Sequence, residues 1–388
     1  MKSRLMRFIF IYFALFFIQL LGSAAEKSIK PENVYRYIYQ IHAQEWYAEQ
    51  ADLWKNELHR QPDNPRAWYN YFLASKYKLW QGDEVRYKAT MDSILNAMAV
   101  QIADSYEYNY LRFYNGDRKE SWLEKAYQAD PERPDTFYEF ILHYERTGVP
   151  EKMKSFCKKL YESADIAPKL LDYNYNMINS TEPNAILFTN GDNDTYPGWV
   201  LQSVKKFRPD VTILNLHLIF ADRNYGRRKL TEINLDIDLK SLSTESMGKF
   251  FRELLVSLSR KYPAIPLYVA ATVAKSSFAD IEDDLYMVGL ALKYSKKRFD
   301  NLLRIKENLE YRFRLDALEH NWYQENNITR ELMNGLNVNY VVLFTKLATY
   351  LKDHDQREYA KIWKNRALSL ADRAKNQSLI DHINELDL

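Results

Sequence analysis

Residues 186–197 read Ile186-Leu187-Phe188-Thr189-Asn190-Gly191-Asp192-Asn193-Asp194-Thr195-Tyr196-Pro197. Strand-favouring residues run directly into a turn that carries two carboxylates and two amides, and a proline follows. Most of the surrounding chain has helical periodicity, so this is the point where a strand delivers clustered polar groups to one place. Working outward, Ala185 to Thr189 reads as a first buried strand. Gly198 to Phe207 forms a helix, with Trp199, Val200, Val204 and Phe207 at helical spacing. Val211 to Phe220 is a second strand, Thr244 to Tyr262 a helix, and Leu267 to Val273 a third strand. This β-α-β-α-β order implies a small parallel sheet. Beyond it, helices are expected over Glu282 to Leu292 and Leu302 to Leu318, with a closing hairpin from Asn339 to Ala371.

Residues 30 to 180 read as helical hairpins. A phrase recurs as Tyr69-Asn70-Tyr71, Tyr108-Asn109-Tyr110, Tyr138-Glu139-Phe140 and Tyr173-Asn174-Tyr175, at spacings of 39, 30 and 35 residues. Proline turns precede two of them, Pro62-Asp63-Asn64-Pro65 and Pro131-Glu132-Arg133-Pro134. The spacing drifts around the period of tetratricopeptide-type repeats, which is about 34 residues. One helix pair cannot bury its apolar face alone, so neighbours must stack to cover it. The fold class is therefore α/β plus all-α: a small parallel sheet flanked by tetratricopeptide-like hairpins. The expected divisions are 1–25 signal peptide, 26–180 helical repeats, 181–298 α/β domain and 299–388 C-terminal hairpins.

The N-terminus has a basic head, Lys2, Arg4 and Arg7, an apolar run from Phe8 to Leu21, and small residues at Gly22-Ser23-Ala24-Ala25. These are the three parts of a secretory signal, with cleavage expected after Ala25. The run is shorter than the ~20 residues that span a bilayer comfortably, and an uncleaved anchor is the alternative. No later apolar stretch is long enough to span, so the mature chain is expected in the periplasm or cell envelope without a stable membrane span.

The 388 residues are 46% hydrophobic and 27% charged, with 30 Tyr and only 10 Gly, a composition suited to interlocking helices. Of 54 Lys and Arg, three leave with the signal, so 51 basic residues face 52 acidic ones. Near-neutral charge argues against nucleic acid as a partner. The single Cys157 makes no internal disulfide.

Parallel sheets bind ligands at the carboxyl ends of their strands. That groups Asn190, Asp192, Asp194 and Thr195 after the first strand, Asn215 and His217 on one face of the second by alternation, and Thr272 after the third. These seven residues are the candidate ligand site. Asp192 and Asp194 form a carboxylate-x-carboxylate pair that could hold Mg²⁺, Mn²⁺ or Ca²⁺. The turn lacks the Gly and Glu of a helix-loop-helix calcium loop, since Thr195 and Leu201 stand at those positions counted from Asn190. The structural alternative is a tight turn in which Asp194 or Thr195 caps the helix opened by Pro197. His217 has an equally structural alternative as a buried, hydrogen-bonded core histidine. No nucleophile elbow, phosphate-binding glycine loop, dinucleotide fingerprint or zinc spacing is present.

Three segments also carry a resemblance. Ala185 to Pro197, then Arg208-Pro209-Asp210-Val211 with Leu214-Asn215-Leu216, then Pro266-Leu267-Tyr268-Val269-Ala270-Ala271-Thr272-Val273 resemble, in order, the extracytoplasmic C-terminal region of a bacterial multi-spanning membrane-protein family. That family is similar to protein O-mannosyltransferases, and Leu336-Asn337-Val338-Asn339-Tyr340 extends the likeness toward residue 375. The family's glycosyl transfer belongs to its membrane portion, so the resemblance implies a domain role and carries over no catalytic residue. Together these readings point to an exported, non-catalytic binding or scaffold protein, with protein contacts through the repeats and a glycan, peptide or assembly partner at the α/β domain. The alternative is a metal-dependent enzyme or accessory factor of envelope glycan metabolism.

Overall fold

A computed structural model describes residues 30–386 apart from 81, 117 and 321–326. The expected signal peptide lies outside the described residues. The described chain divides into two compact units, 30–163 and 164–386.

The first unit is built from α1 (Gln44–Arg60), α2 (Pro65–Lys78), α3 (Glu84–Gln101), α4 (Tyr106–Asn115), α5 (Glu120–Ala129), α6 (Pro134–Thr147) and α7 (Pro150–Glu162). Helices α1 and α2, α4 and α5, and α6 and α7 pack as consecutive pairs, and α3 lies against α2 and α4. Their starts are set by local chemistry. Pro65, Pro134 and Pro150 open helices with a fixed φ and no N–H to leave unsatisfied. Asn64, Asp83 and Ser105 accept hydrogen bonds from Ala67 N, Arg86 N and Tyr108 N, capping α2, α3 and α4. Gly148 ends α6 with φ 74°, the left-handed conformation that glycine adopts without strain.

The recurring sequence phrase has a recurring structural role. Asn70 and Asn109 are buried, and each donates its amide back to the carbonyl four residues earlier, Arg66 O at 2.8 Å and Ser105 O at 2.8 Å. Asn174 does the same toward Leu170 O at 2.9 Å in the second unit. A buried amide must find partners, and this bond supplies one inside its own helix. Asn70 uses its other end to accept from Val34 N at 2.6 Å, tying the N-terminal segment onto α2.

The second unit opens with α8 (Pro168–Asn179), which the sequence boundary at 180 assigned to the repeats. The sheet follows, from β1 (Ile186–Thr189), β2 (Thr212–Asn215), β3 (Leu267–Ala270), β4 (Leu285–Met287) and β5 (Ala291–Tyr294) in the order β2-β1-β3-β5-β4. β1 runs parallel to β2 and β3, with Phe188 opposite Leu214 and Val269. β5 is antiparallel to both β3 and β4. The sheet is thus mixed, which corrects the purely parallel expectation.

The helix expected over Glu282 to Leu292 is instead a 3₁₀ turn, Ala279–Asp284, and the β4–β5 hairpin. Its Leu, Met and Ala residues suit a helix, but Gly289 reverses the chain within it. The second strand stops at Asn215, and Leu216–Ala221 is α10. The long helix expected from Leu302 breaks into α13 (Asn301–Glu307), a π-helical turn Asn308–Arg312 and α14 (Asp316–Glu319).

Helices α9 (Tyr196–Lys205), α11 (Arg223–Glu232) and α12 (Met247–Lys261) lie between the first three strands in the chain. Ile186, Leu187 and Phe188 are wholly buried, each contributing about 1.5–3 kcal/mol through burial. Phe188 meets Phe251 of α12 edge to face, with ring centroids 5.1 Å apart. Gly198 lets α9 approach β2 closely, since a Cβ there would lie 2.7 Å from Ile213 Cδ1. α15 (Asn327–Asp353) and α16 (Arg357–Arg373) form the closing hairpin around Asp353-His354-Asp355, with Phe344 against Trp363, and α17 (Gln377–Glu385) packs on α16. They belong to the same compact unit as the sheet.

Candidate functional site

β1 ends at Thr189, and the chain reverses through 190–194 into α9. The turn is held from within. Asp192 O accepts from Thr195 N at 3.3 Å and Tyr196 N at 3.1 Å. The Asp194 carboxylate reaches back across the turn. Its Oδ2 accepts from Asn190 N and its Oδ1 from Gly191 N, both at 2.7 Å. Thr272, just beyond β3, donates its hydroxyl to the same Oδ2. Asp194 is only 2% exposed. Burial raises its carboxyl above the ordinary value, and the bonds from Asn190, Thr272 and Gly191 pull the other way.

A second chain of bonds runs beside it. The hydroxyls of Thr189 and Thr195 share a 2.7 Å hydrogen bond. Asn215 Nδ2 donates to Thr195 Oγ1 at 3.0 Å, while Asn215 Oδ1 accepts from Leu218 N at 3.0 Å and caps α10. Asn174 of α8 donates to Asn193 O at 2.9 Å and fixes the far side of the turn. The Asn174 Oδ1 is buried with no hydrogen-bond partner.

The structure therefore brings Asn190, Asp194, Thr195, Asn215 and Thr272 into one bonded cluster. Asp192 is half-buried on the same turn. His217 does not join them: it is exposed on α10. The reason is the Asn215 cap, which ends the strand, so the period-two alternation that paired Asn215 with His217 stops before His217. Thr189 and Asn174 were missed as site residues. Thr189 lies inside the quoted run, and Asn174 lay in the recurring Tyr-Asn-Tyr phrase, read there as repeat core.

Chemically, the cluster fixes a loop in one shape. Asp194 uses both oxygens on protein donors, and the paired threonine hydroxyls have no histidine beside them in these bonds. Among the described residues no three His, Cys, Asp or Glu side chains gather into a set that could hold a metal ion.

Residues 170–225 match the family model described as TMEM260-associated domain 2. The matched span starts in α8 and takes in β1, the turn, α9, β2 and α10. It contains Asn174, Asn190, Asp192, Asp194, Thr195, Asn215 and His217, while Thr272 lies outside it. No curated protein matches the chain. Among the described residues no helix is long and apolar enough to cross a membrane.

Proposed function

We propose that this chain is an exported, non-catalytic binding or scaffold protein of the cell envelope. The helical pairs of the first unit serve protein contacts, and the α/β unit presents the Asn190–Asp194 loop to a glycan or peptide partner. The observation that carries this reading is the internal bonding of the polar turn. A catalytic carboxylate needs a reacting atom within reach, whereas Asp194 holds two backbone N–H groups and a hydroxyl. The basic head and apolar run at the N-terminus support export. The likeness of residues 185–197 and 266–273 to an extracytoplasmic region of proteins similar to O-mannosyltransferases supports a glycan-related setting.

Two measurements test it. Mass spectrometry of the protein made with its own N-terminus should find a mature chain starting at Glu26 in the extracytoplasmic fraction; an intact Met1 in the cytosol refutes export. Purified residues 26–388, incubated with sugar nucleotides and Mn²⁺, Mg²⁺ or Ca²⁺, should turn nothing over. Turnover abolished by Asp192→Ala or Asp194→Ala would replace this reading with a metal-dependent enzyme.

A further inference from the structure

The first unit buries a group of cations around one tyrosine ring. Lys76 of α2 is 7% exposed, and its Nζ stands 3.9 Å from the centroid of Tyr114, with Trp80 at 5.9 Å. Arg36 is equally buried, and its guanidinium lies 5.4 Å from the same ring. Arg36 reaches Asp135 at 3.5 Å and Glu139 at 3.6 Å. Exposed Arg118 reaches the other oxygen of Glu139 at 3.6 Å. One carboxylate is thus divided between two arginines, and Asp135 is shared in turn with Arg133 at 3.7 Å.

Lys76 is left over. Among the described residues no carboxylate lies within ion-pairing distance of its Nζ. Burying an ammonium without a counter-charge is expensive. A tyrosine face offsets only a small part of that cost. The Nε of Arg36 is also buried without a hydrogen-bond partner. Burial, with the Arg118 and Arg36 charges, brings the Lys76 amine down to about 7, and Glu139 opposes this only in part. Lys76 and Arg36 are buried beside the Tyr114 ring, and Trp80 and Arg118 of the same group are exposed.

We propose that Arg36, Lys76 and Arg118 around Tyr114 form a binding site for a compact oxyanion, the carboxylate or phosphate of a small ligand. The anion supplies a counter-charge that no described carboxylate gives Lys76, and the tyrosine and Trp80 rings cover the ligand's apolar part. The site lies wholly in the helical unit and does not depend on the reading of the Asn190–Asp194 loop.

The test is thermal unfolding of residues 26–388 in two arms. One adds inorganic phosphate against chloride at equal ionic strength; the other adds glucuronate against glucose plus chloride. Wild type and Lys76→Met are compared, because phosphate stabilises most proteins without a site. A ligand at ten times its Kd should raise the midpoint of wild type by about 2 °C or more above any rise it gives Lys76→Met. The arm that does so identifies phosphate or carboxylate. Lys76→Arg, which keeps the charge, should retain the shift. Without ligand, Lys76→Met should unfold at or above the wild-type midpoint, since it removes an uncompensated charge. Equal shifts in wild type and Lys76→Met in both arms, or a ligand-free Lys76→Met that unfolds well below wild type, overturn the proposal.

Discussion

Asp194 shows how one carboxylate can organise a loop. Asp194→Ala leaves the Asn190 and Gly191 N–H groups without their acceptor, and each such loss costs about 1–3 kcal/mol. The variant should lose about 2–4 kcal/mol in urea unfolding, and isosteric Asp194→Asn clearly less. The raised carboxyl also sets a pH dependence. A group whose folded value lies above its unfolded value stabilises most below the unfolded value, and that contribution is lost as pH rises through the folded one. Stability should therefore fall with rising pH across the window just above the ordinary carboxylate value, near 4. Asp194→Asn should flatten that fall; an unchanged slope would remove Asp194 as its source.

Lys76 works in the opposite sense. Its folded value is about 7 and the unfolded amine titrates near 10.4, so between them the unfolded chain holds the extra proton. Stability then rises with pH from about 7 toward 10, and below 7 the slope vanishes. The groups facing the amine are Arg36, Arg118, Glu139 and Tyr114. Lys76→Met should flatten the rise between pH 7 and 9 in urea midpoints; an unaltered slope would show that other groups produce it.

At the scale of elements, the β4–β5 hairpin is the part that local pattern misassigned. Leu285-Tyr286-Met287-Val288-Gly289-Leu290-Ala291-Leu292 is apolar throughout, and period alone does not separate a short buried strand from a helix segment. Its pairing partner, β3, lies well upstream, and α8 supplies the turn's support. Ser180 Oγ accepts from Leu290 N at 2.9 Å and donates to Asn176 O at 2.9 Å. A Cβ on Gly289 would stand 2.8 Å from Phe313 Cζ and 2.9 Å from Ser180 Cβ. Gly289→Ala should cost about 1–3 kcal/mol by overpacking, read as a lower urea midpoint with an unchanged m-value. A neutral result would mean that the hairpin turn has room to relax. By contrast β1, β3 and α12 were legible, because strand-rich runs and the apolar stripe Phe250, Phe251, Leu254, Leu255 and Leu258 are local signals.

For the whole molecule, the division at 163/164 puts α8 in the unit that holds the sheet. The contacts that place α8 come from residues far along the chain. Asn176 donates to Arg314 O and Tyr340 Oη, both at 2.8 Å, and Asn339 donates to Tyr173 Oη at 2.9 Å. Residues 164–388 expressed alone should show one cooperative urea transition, whereas 181–388, which lacks α8, should not. A cooperative 181–388 would return α8 to the repeats.

The sequence by itself determined the helical pairs, the proline turns before α2 and α6, the strands β1 and β3, the start of β2 and the turn between Thr189 and Pro197. Those features are written within about ten residues, in period, caps and turn chemistry. Only the tertiary structure decided that the sheet is mixed, that Asn174 and Thr272 close on the turn, and that Lys76 is buried beside Arg36. Each of these depends on pairing or loss of water between residues distant in sequence, which no local pattern encodes.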